Sequence, residues 1–291
     1  MKVPRSHTIR ALALAAAAVA LLPLQARANH PVLVEGNNAG NDPAVTTVPP
    51  GTGGDFDGDG LIGTAEDTDN ATDRVFGTLT AALGSANGGA NGNGRVTIVT
   101  SGRFPEAIDL SGGAGASTGQ TLNGVLVIEA APGVVANIDA VLAGDAAGTT
   151  AREALPGILI ETAQTDRAVI LRNLVVRNWA YGLLVRGGAR VTVEGCKFDS
   201  NLAANVSAED RARLTMTECS ISAGGMRFTA AGKAAPDPGN GVEFEDTAGG
   251  SLFRCTVSSN TAAGVLNTGT GRVRLLENNV FDNGIDFRGR F

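Results

Sequence analysis

The chain has 291 residues, 43% of them hydrophobic, with 23 basic against 29 acidic side chains and a net charge of −6. That acidic balance disfavours nucleic acid and anionic membrane surfaces as partners. With only two histidines, His7 and His30, the chain is largely closed to Ser/His or Cys/His nucleophiles, His-bound zinc and histidine bases.

Residues 1–28 read as a secretory signal peptide. Lys2, Arg5 and Arg10 form a basic start, Ala11 to Leu22 a short apolar stretch, and Ala26-Arg27-Ala28 a small-residue cleavage site. The protein is therefore expected to be secreted, to the periplasm, the cell surface or the medium. Cleavage removes four cations and no acid, leaving 19 basic against 29 acidic residues, a net charge near −10. No other apolar run reaches the ~20 residues needed to cross a bilayer, so membrane insertion is not expected. The remaining 263 residues suffice for one long core without a second large domain.

Residues 29–71 read as an extended leader, rich in Pro, Gly, Asn and Thr from Asn29 to Thr52. Within it, residues 55–66 (DFDGDGLIGTAE) match the twelve-position calcium loop D-x-[DN]-x-[DN]-G-x₅-E. Asp55, Asp57 and Asp59 supply carboxylates, Gly60 the sharp turn, Leu61 a backbone carbonyl and Glu66 a bidentate carboxylate. Hard oxygen donors this dense suit Ca²⁺. Helices that would flank an EF-hand are not evident: Pro49-Pro50-Gly51 and Gly53-Gly54 precede the loop. The segment resembles the helix-poor loops of dockerins and thrombospondin type 3 repeats, in a single copy. A lone loop of this kind is expected to pin the junction between leader and fold and not to act as a sensor, which needs paired loops.

From residue 72 the chain is expected to fold. Thr72 to Ala86 places Phe76, Leu79 and Leu83 on one helical face, with Thr78 as N-cap. Two irregular coils follow, Val96 to Leu110 and Val125 to Val141. Then a repeat sets in. Leu174, Cys196, Cys219, Cys255 and Asn278 recur at intervals of 22, 23, 36 and 23 residues. Five residues after each stand Trp179, Asn201, Gly224, Asn260 and Asn283, and a Gly/Asn-plus-apolar pair follows in every period. Short strands broken by Gly and Asn at such a period mark a solenoid. The Leu-rich consensus and helical segment of leucine-rich repeats are absent. The expected class is all-β: a right-handed parallel β-helix over residues 72–291 with a short N-terminal capping helix. The 40 glycines and 4% aromatic residues suit its tight turns and small stacked side chains.

The three cysteines share one inward ladder position, where a buried stack of thiols is expected. Surplus residues between Met226 and Asn240 are expected to project as a loop. The last coil, with Val280, Ile285 and Phe287 inward, is expected to support weak self-association unless Arg288, Arg290 and Asn283 blunt its edge.

In a solenoid a site is a stripe across neighbouring coils, about 4.8 Å apart. With Leu183, Val206, Val242, Val265 and Ile285 inward, the outward residues are Leu184, Ser207, Glu243, Leu266 and Asp286. A second outward column holds Arg186, Glu209, Glu245, Thr268 and Arg288. Glu209, Glu243, Glu245 and Arg186, with Lys233 on the projecting loop, form the candidate catalytic cluster. Paired carboxylates suit glycoside hydrolysis, and carboxylates with Ca²⁺ and a basic side chain suit lyase chemistry on uronic acids.

From Val96 onward the chain resembles the right-handed parallel β-helix, or pectin lyase-like, superfamily. The ladder carries the resemblance, together with Gly102-Arg103-Phe104-Pro105-Glu106, which is similar to the G-x-Y-x-E stretch opening many such helices. The resemblance implies polysaccharide lyases, glycoside hydrolases, esterases, epimerases or adhesins, but the signature motifs of those enzyme families are missing here. Aromatic platforms for sugar rings reduce to Trp179, in an inward slot, and Tyr181. The expected function is a structural or carbohydrate-contacting module at the cell surface or in the periplasm, with polysaccharide or envelope glycan as partner. The alternative is a lyase or hydrolase acting on acidic polysaccharides.

Overall fold

The computed structural model describes residues 32–34, 46–47, 61–62, 75–76, 78–87, 94–111, 125–141, 154–162, 168–225 and 239–291. The expected signal peptide, the expected calcium loop apart from Leu61–Ile62, and the expected projecting loop with Lys233 lie outside them. Among the described residues, no helix is long and apolar enough to cross a membrane.

Each coil contributes one strand to each of three parallel sheets, of nine, seven and seven strands. Arg190–Glu194, Lys197–Asp199 and Ala204–Ala208 make up one such coil, visiting the first, second and third sheets in turn. Within the three sheets every pairing is parallel; the two-residue pair Thr46–Thr47 with Leu61–Ile62 stands apart and is antiparallel. The chain folds this way because apolar residues alternate along each strand and their inward members stack. Val169, Val191 and Leu214 pair in register on the first sheet, and Val176, Phe198, Ile221 and Val257 on the second. All but Val191, at 2% exposure, are fully buried.

Sharp corners bound the second-sheet strand of every regular coil. Asn173, Gly195, Glu218, Arg254 and Glu277 precede it, and Asn178, Ser200, Ala223, Ser259 and Asp282 follow it, all at φ between 52° and 68°. A left-handed backbone is unfavourable for nearly every residue but glycine. The stack offsets that cost by hydrogen-bonding the corners to the next coil. Asn173 N donates to Glu194 O and Gly195 N to Thr217 O, both at 3.0 Å.

Inside the second corner runs a ladder of buried asparagines. Asn201 Oδ1 accepts from Trp179 N at 3.1 Å, and its Nδ2 donates to Val176 O at 3.2 Å and Asn205 Oδ1 at 2.8 Å. Asn205 Nδ2 reaches Asn260 Oδ1 at 2.9 Å, bridging the coil in which Gly224 replaces asparagine. Asn260 Nδ2 donates in turn to Asn283 Oδ1 at 2.8 Å. Trp179 takes the same slot at the head of the ladder, fully buried, and its Nε1 donates to Ile138 O at 2.9 Å. Gly157 lies against that ring: a Cβ there would sit 2.6 Å from Trp179 Cδ1.

At the N-terminal end the helix spans Leu79–Asn87, later than Thr72. Thr78 is its N-cap, its hydroxyl accepting from Ala81 N at 3.2 Å. Phe76 is not on the helix, because the capped helix starts beyond it; Val75–Phe76 instead pairs with Val32–Val34 in the first sheet. Val32–Val34 pairs also with Gly94–Ile98, so part of the leader segment joins the solenoid. Glu106, from the G-x-Y-x-E-like stretch, accepts from Leu79 N at 3.1 Å and Thr80 N at 2.8 Å. A carboxylate there satisfies first-turn donors and complements the helix dipole. Leu79, Ala82 and Leu83 close the core beneath.

At the other end the register differs from the expected one. Val265 pairs with Phe287, not Ile285, which pairs with Ala263. Leu266 therefore faces Arg288 on the outer side, and Asp286 lies one step earlier. The last Gly/Asn pair misleads because its corner is shorter: Gly284 directly precedes the strand Ile285–Gly289.

Candidate functional site

The three outer faces differ. On the first sheet the outward column Thr97, Glu129, Arg172, Glu194 is a charge ladder: Arg172 Nε binds Glu194 at 2.7 Å and Arg172 Nη1 lies 3.7 Å from Glu129. Half-exposed pairs of this kind contribute little to stability. On the third sheet the outward column is sheltered. Leu184 is 3% exposed, Ser207 0% and Glu243 5%, although all three point away from the core that Leu183, Val185, Val206 and Val242 fill.

That shelter holds a connected polar cluster across three coils. Arg186 Nε donates to Glu209 Oε2 at 2.7 Å. Ser207 Oγ lies 3.4 Å from Glu209 Oε1 and 3.4 Å from Glu243 Oε1. Asn240 Nδ2 donates to Glu243 Oε2 at 2.7 Å, and Asn240 Oδ1 accepts from Ala263 N at 3.1 Å. The strands Tyr181–Gly187, Ala204–Ala208 and Asn240–Phe244 position these groups, with Leu184, Ser207 and Glu243 in register. Arg186, Glu209 and Glu243 thus come together as the alternation in the sequence predicts. Glu245 continues the column one coil beyond Glu209, half-buried, its N–H bonded to Ala208 O at 2.9 Å.

Two features bound the chemistry. Both carboxylates lie 3.4 Å from one hydroxyl, so those oxygens are separated by at most twice that distance. That span overlaps the separations of paired glycosidase carboxylates. Burial opposes the Arg186 charge, but the hydrogen bond and charge of Glu209 outweigh it and raise the guanidinium pKa above its usual value. Arg186 is therefore a fixed cation and no base. Ser207 and Asn240 are linking groups that the sequence does not reveal. Ser207 lies in the outward alternation beside Glu209 and Glu243, but Asn240 has the inward parity of Val242 and reaches Glu243 from the start of its strand.

A second buried carboxylate, Asp139, escaped the sequence because its partners lie on other coils. Asn178 Nδ2 donates to it at 2.6 Å, and Arg103 and Arg177 approach within 3.8 and 3.7 Å. Its Oδ1 also accepts from Val141 N at 3.0 Å, an arrangement that fixes a turn.

Cys196, Cys219 and Cys255 are buried, unpaired and stacked as expected. Burial pushes the Cys196 thiol up to about 12. The hydrogen bond between Cys219 and Cys255 pushes Cys219 up, and burial adds to it. The same bond favours the thiolate at Cys255, but at 1% exposure that side chain meets no reagent. Among the described residues no group of three His, Cys, Asp or Glu could hold a metal ion.

Comparison with known proteins agrees with this architecture. No curated protein and no solved structure matches the chain significantly. The right handed beta helix region matches residues 123–284, more than half of the chain and all of its regular coils except the final strand Ile285–Gly289. The chain belongs to the right-handed β-helix family.

Proposed function

We propose that this protein is an exported, pectin lyase-like β-helix module that contacts carbohydrate through the outer face of its third sheet. The sheltered cluster of Arg186, Ser207, Glu209, Asn240 and Glu243 carries the proposal. Its donors and acceptors are fixed by one another before any ligand arrives, and such preorganisation is what a polar binding surface requires. The partner is a polysaccharide or envelope glycan. Binding of soluble glycans, followed by calorimetry, should weaken about tenfold in Arg186→Ala and in Glu209→Gln, roughly the loss of one charge-assisted hydrogen bond from the accessible members of the cluster. Unchanged binding in both variants would leave the cluster a purely structural feature.

The bounded carboxylate separation favours one second reading, a glycoside hydrolase with Glu209 and Glu243 as its acid and base or nucleophile. Lyase chemistry has less support, since Arg186 is not a base. New reducing ends that vanish in Glu243→Gln would establish hydrolysis, and double-bond absorbance would establish elimination.

The residues of the calcium loop support a separate role. Ca²⁺ bound by Asp55, Asp57, Asp59, the Leu61 carbonyl and Glu66 would fix the segment preceding the helix. Titration of the full chain with Ca²⁺ should give a heat that Asp55→Ala abolishes, together with calcium-dependent resistance of residues 29–71 to proteolysis. A heat unchanged in the variant would remove the site.

A further inference from the structure

The outer edge of the last coil is the most apolar exposed region among the described residues. Leu276, Phe281, Ile285, Phe287 and Phe291 are each at least 40% exposed. The strands Val273–Leu276, Asn279–Phe281 and Ile285–Gly289 each stand at the end of their sheet order. Among the described residues nothing pairs with their outer edges, which leaves rows of strand N–H and C=O groups able to template further pairing.

We propose that this edge is the interface of a two-fold dimer with a second copy of this chain, centred on Phe287. The backbone fixes the register. Ile285 N donates inward to Ala262 O at 2.9 Å, but the strand changes side beyond it, since a Cβ on Gly264 of the preceding coil would lie 2.9 Å from Asp286 O. Asp286 and Arg288 therefore serve the preceding coil, and the N–H and C=O of Phe287 face the free edge. Antiparallel pairing about Phe287 then makes Phe287 a hydrogen-bonded pair with its mate. It sets Asp286 opposite Arg288 of the second copy, twice, as non-hydrogen-bonded pairs of opposite charge, where side chains approach most closely. Centring on Asp286 or on Arg288 instead would set like charges opposite one another. Phe287 meets its own symmetry mate across those bonds and already packs edge-on against Phe291 at 5.9 Å. Asp286 is held ready, accepting from Asn283 Nδ2 at 3.1 Å. The same axis exchanges the first and second sheets. It brings Val273–Leu276 of one copy to Asn279–Phe281 of the other, where the exposed Leu276 and Phe281 stand. A self-complementary patch of this kind is what a two-fold interface requires.

Sedimentation of the full chain across the micromolar range tests the proposal. Dimers should form. Arg288→Asp and Asp286→Arg should each weaken them about tenfold, by setting like charges opposite, and the double reversal should restore them. Circular dichroism confirms that each variant keeps its strand spectrum. Independently, Phe287→Cys should crosslink to a covalent dimer under mild oxidation, the native cysteines being buried. A monomer at every concentration, open-ended filaments, or dimers indifferent to the charge reversals would overturn the proposal. So would a Phe287→Cys thiol closed to soluble maleimide in a monomer, because a segment of the same chain would then cover the edge.

Discussion

Trp179→Ala should destabilise the fold by about 3–5 kcal/mol, the cost of emptying a fully buried tryptophan site. The side chain has no solvent exposure, and its loss removes three things at once. The core loses a large apolar volume between the irregular and the regular coils. Ile138 O loses the indole donor at 2.9 Å. Gly157, kept small by the ring against it, is left facing a void. Trp179→Phe separates the terms: it restores most of the volume but leaves Ile138 O unpaired, and should cost about 1–3 kcal/mol. Gly157→Ala should destabilise for the opposite reason, since its Cβ would fall 2.6 Å from the ring. Urea denaturation followed by circular dichroism measures all three. Trp179 is also the chain's one tryptophan, so the native protein should fluoresce to the blue of the unfolded chain. A Trp179→Ala midpoint equal to that of the parent would contradict the ladder as drawn.

The second large effect is expected at Asn201, where alanine should cost about 3 kcal/mol, because burial leaves every lost hydrogen bond without a water substitute. Its amide satisfies Trp179 N, Val176 O and Asn205 Oδ1. All three belong to buried surroundings, so their desolvation is uncompensated in the variant. Asn283→Ala is the matched control. Asn283 occupies the same ladder position on the half-exposed last coil, where water can replace the amide, and its loss should cost about 1 kcal/mol. Equal losses at the two positions would show that burial does not set the cost, and the ladder would then be a chain of independent turns.

The fold was legible because a solenoid writes its period into the chain. The spacing of Leu174, Cys196, Cys219, Cys255 and Asn278 alone implies that one position recurs on each coil, and the registers Val175–Lys197, Lys197–Ser220, Ser220–Thr256 and Thr256–Asn279 agree. The irregular ends were less legible. Phe76 fits a helical face as well as a strand, and only the Thr78 cap decides between them. Ile285 follows a Gly just as Val265 does, yet the shorter last corner moves Phe287 into the inward slot. The candidate site was half visible. Alternation placed Arg186, Glu209 and Glu243 on one face, but the bonds through Ser207 and Asn240 depend on rotamers that a spacing does not encode. Asp139 was invisible for a related reason, its partners Asn178, Arg177 and Arg103 being 36 or more positions away in the chain and brought alongside only by the coils.

The central claim is that each coil is held by its neighbours and that the asparagine ladder locks the corners, so that any site spans coils. Native-state amide hydrogen exchange tests it residue by residue. The slowest amides should be the strand amides between Pro156 and Phe253 together with Trp179, Gly224 and Asn260, whose N–H groups end on ladder asparagines and not on backbone. Protection should fall on the outermost coil, from Asn279 to Gly289. Trp179 and Gly224 amides exchanging as fast as exposed turns, or protection as high at Ile285–Gly289 as at Ala204–Ala208 in a monomeric sample, would contradict the account.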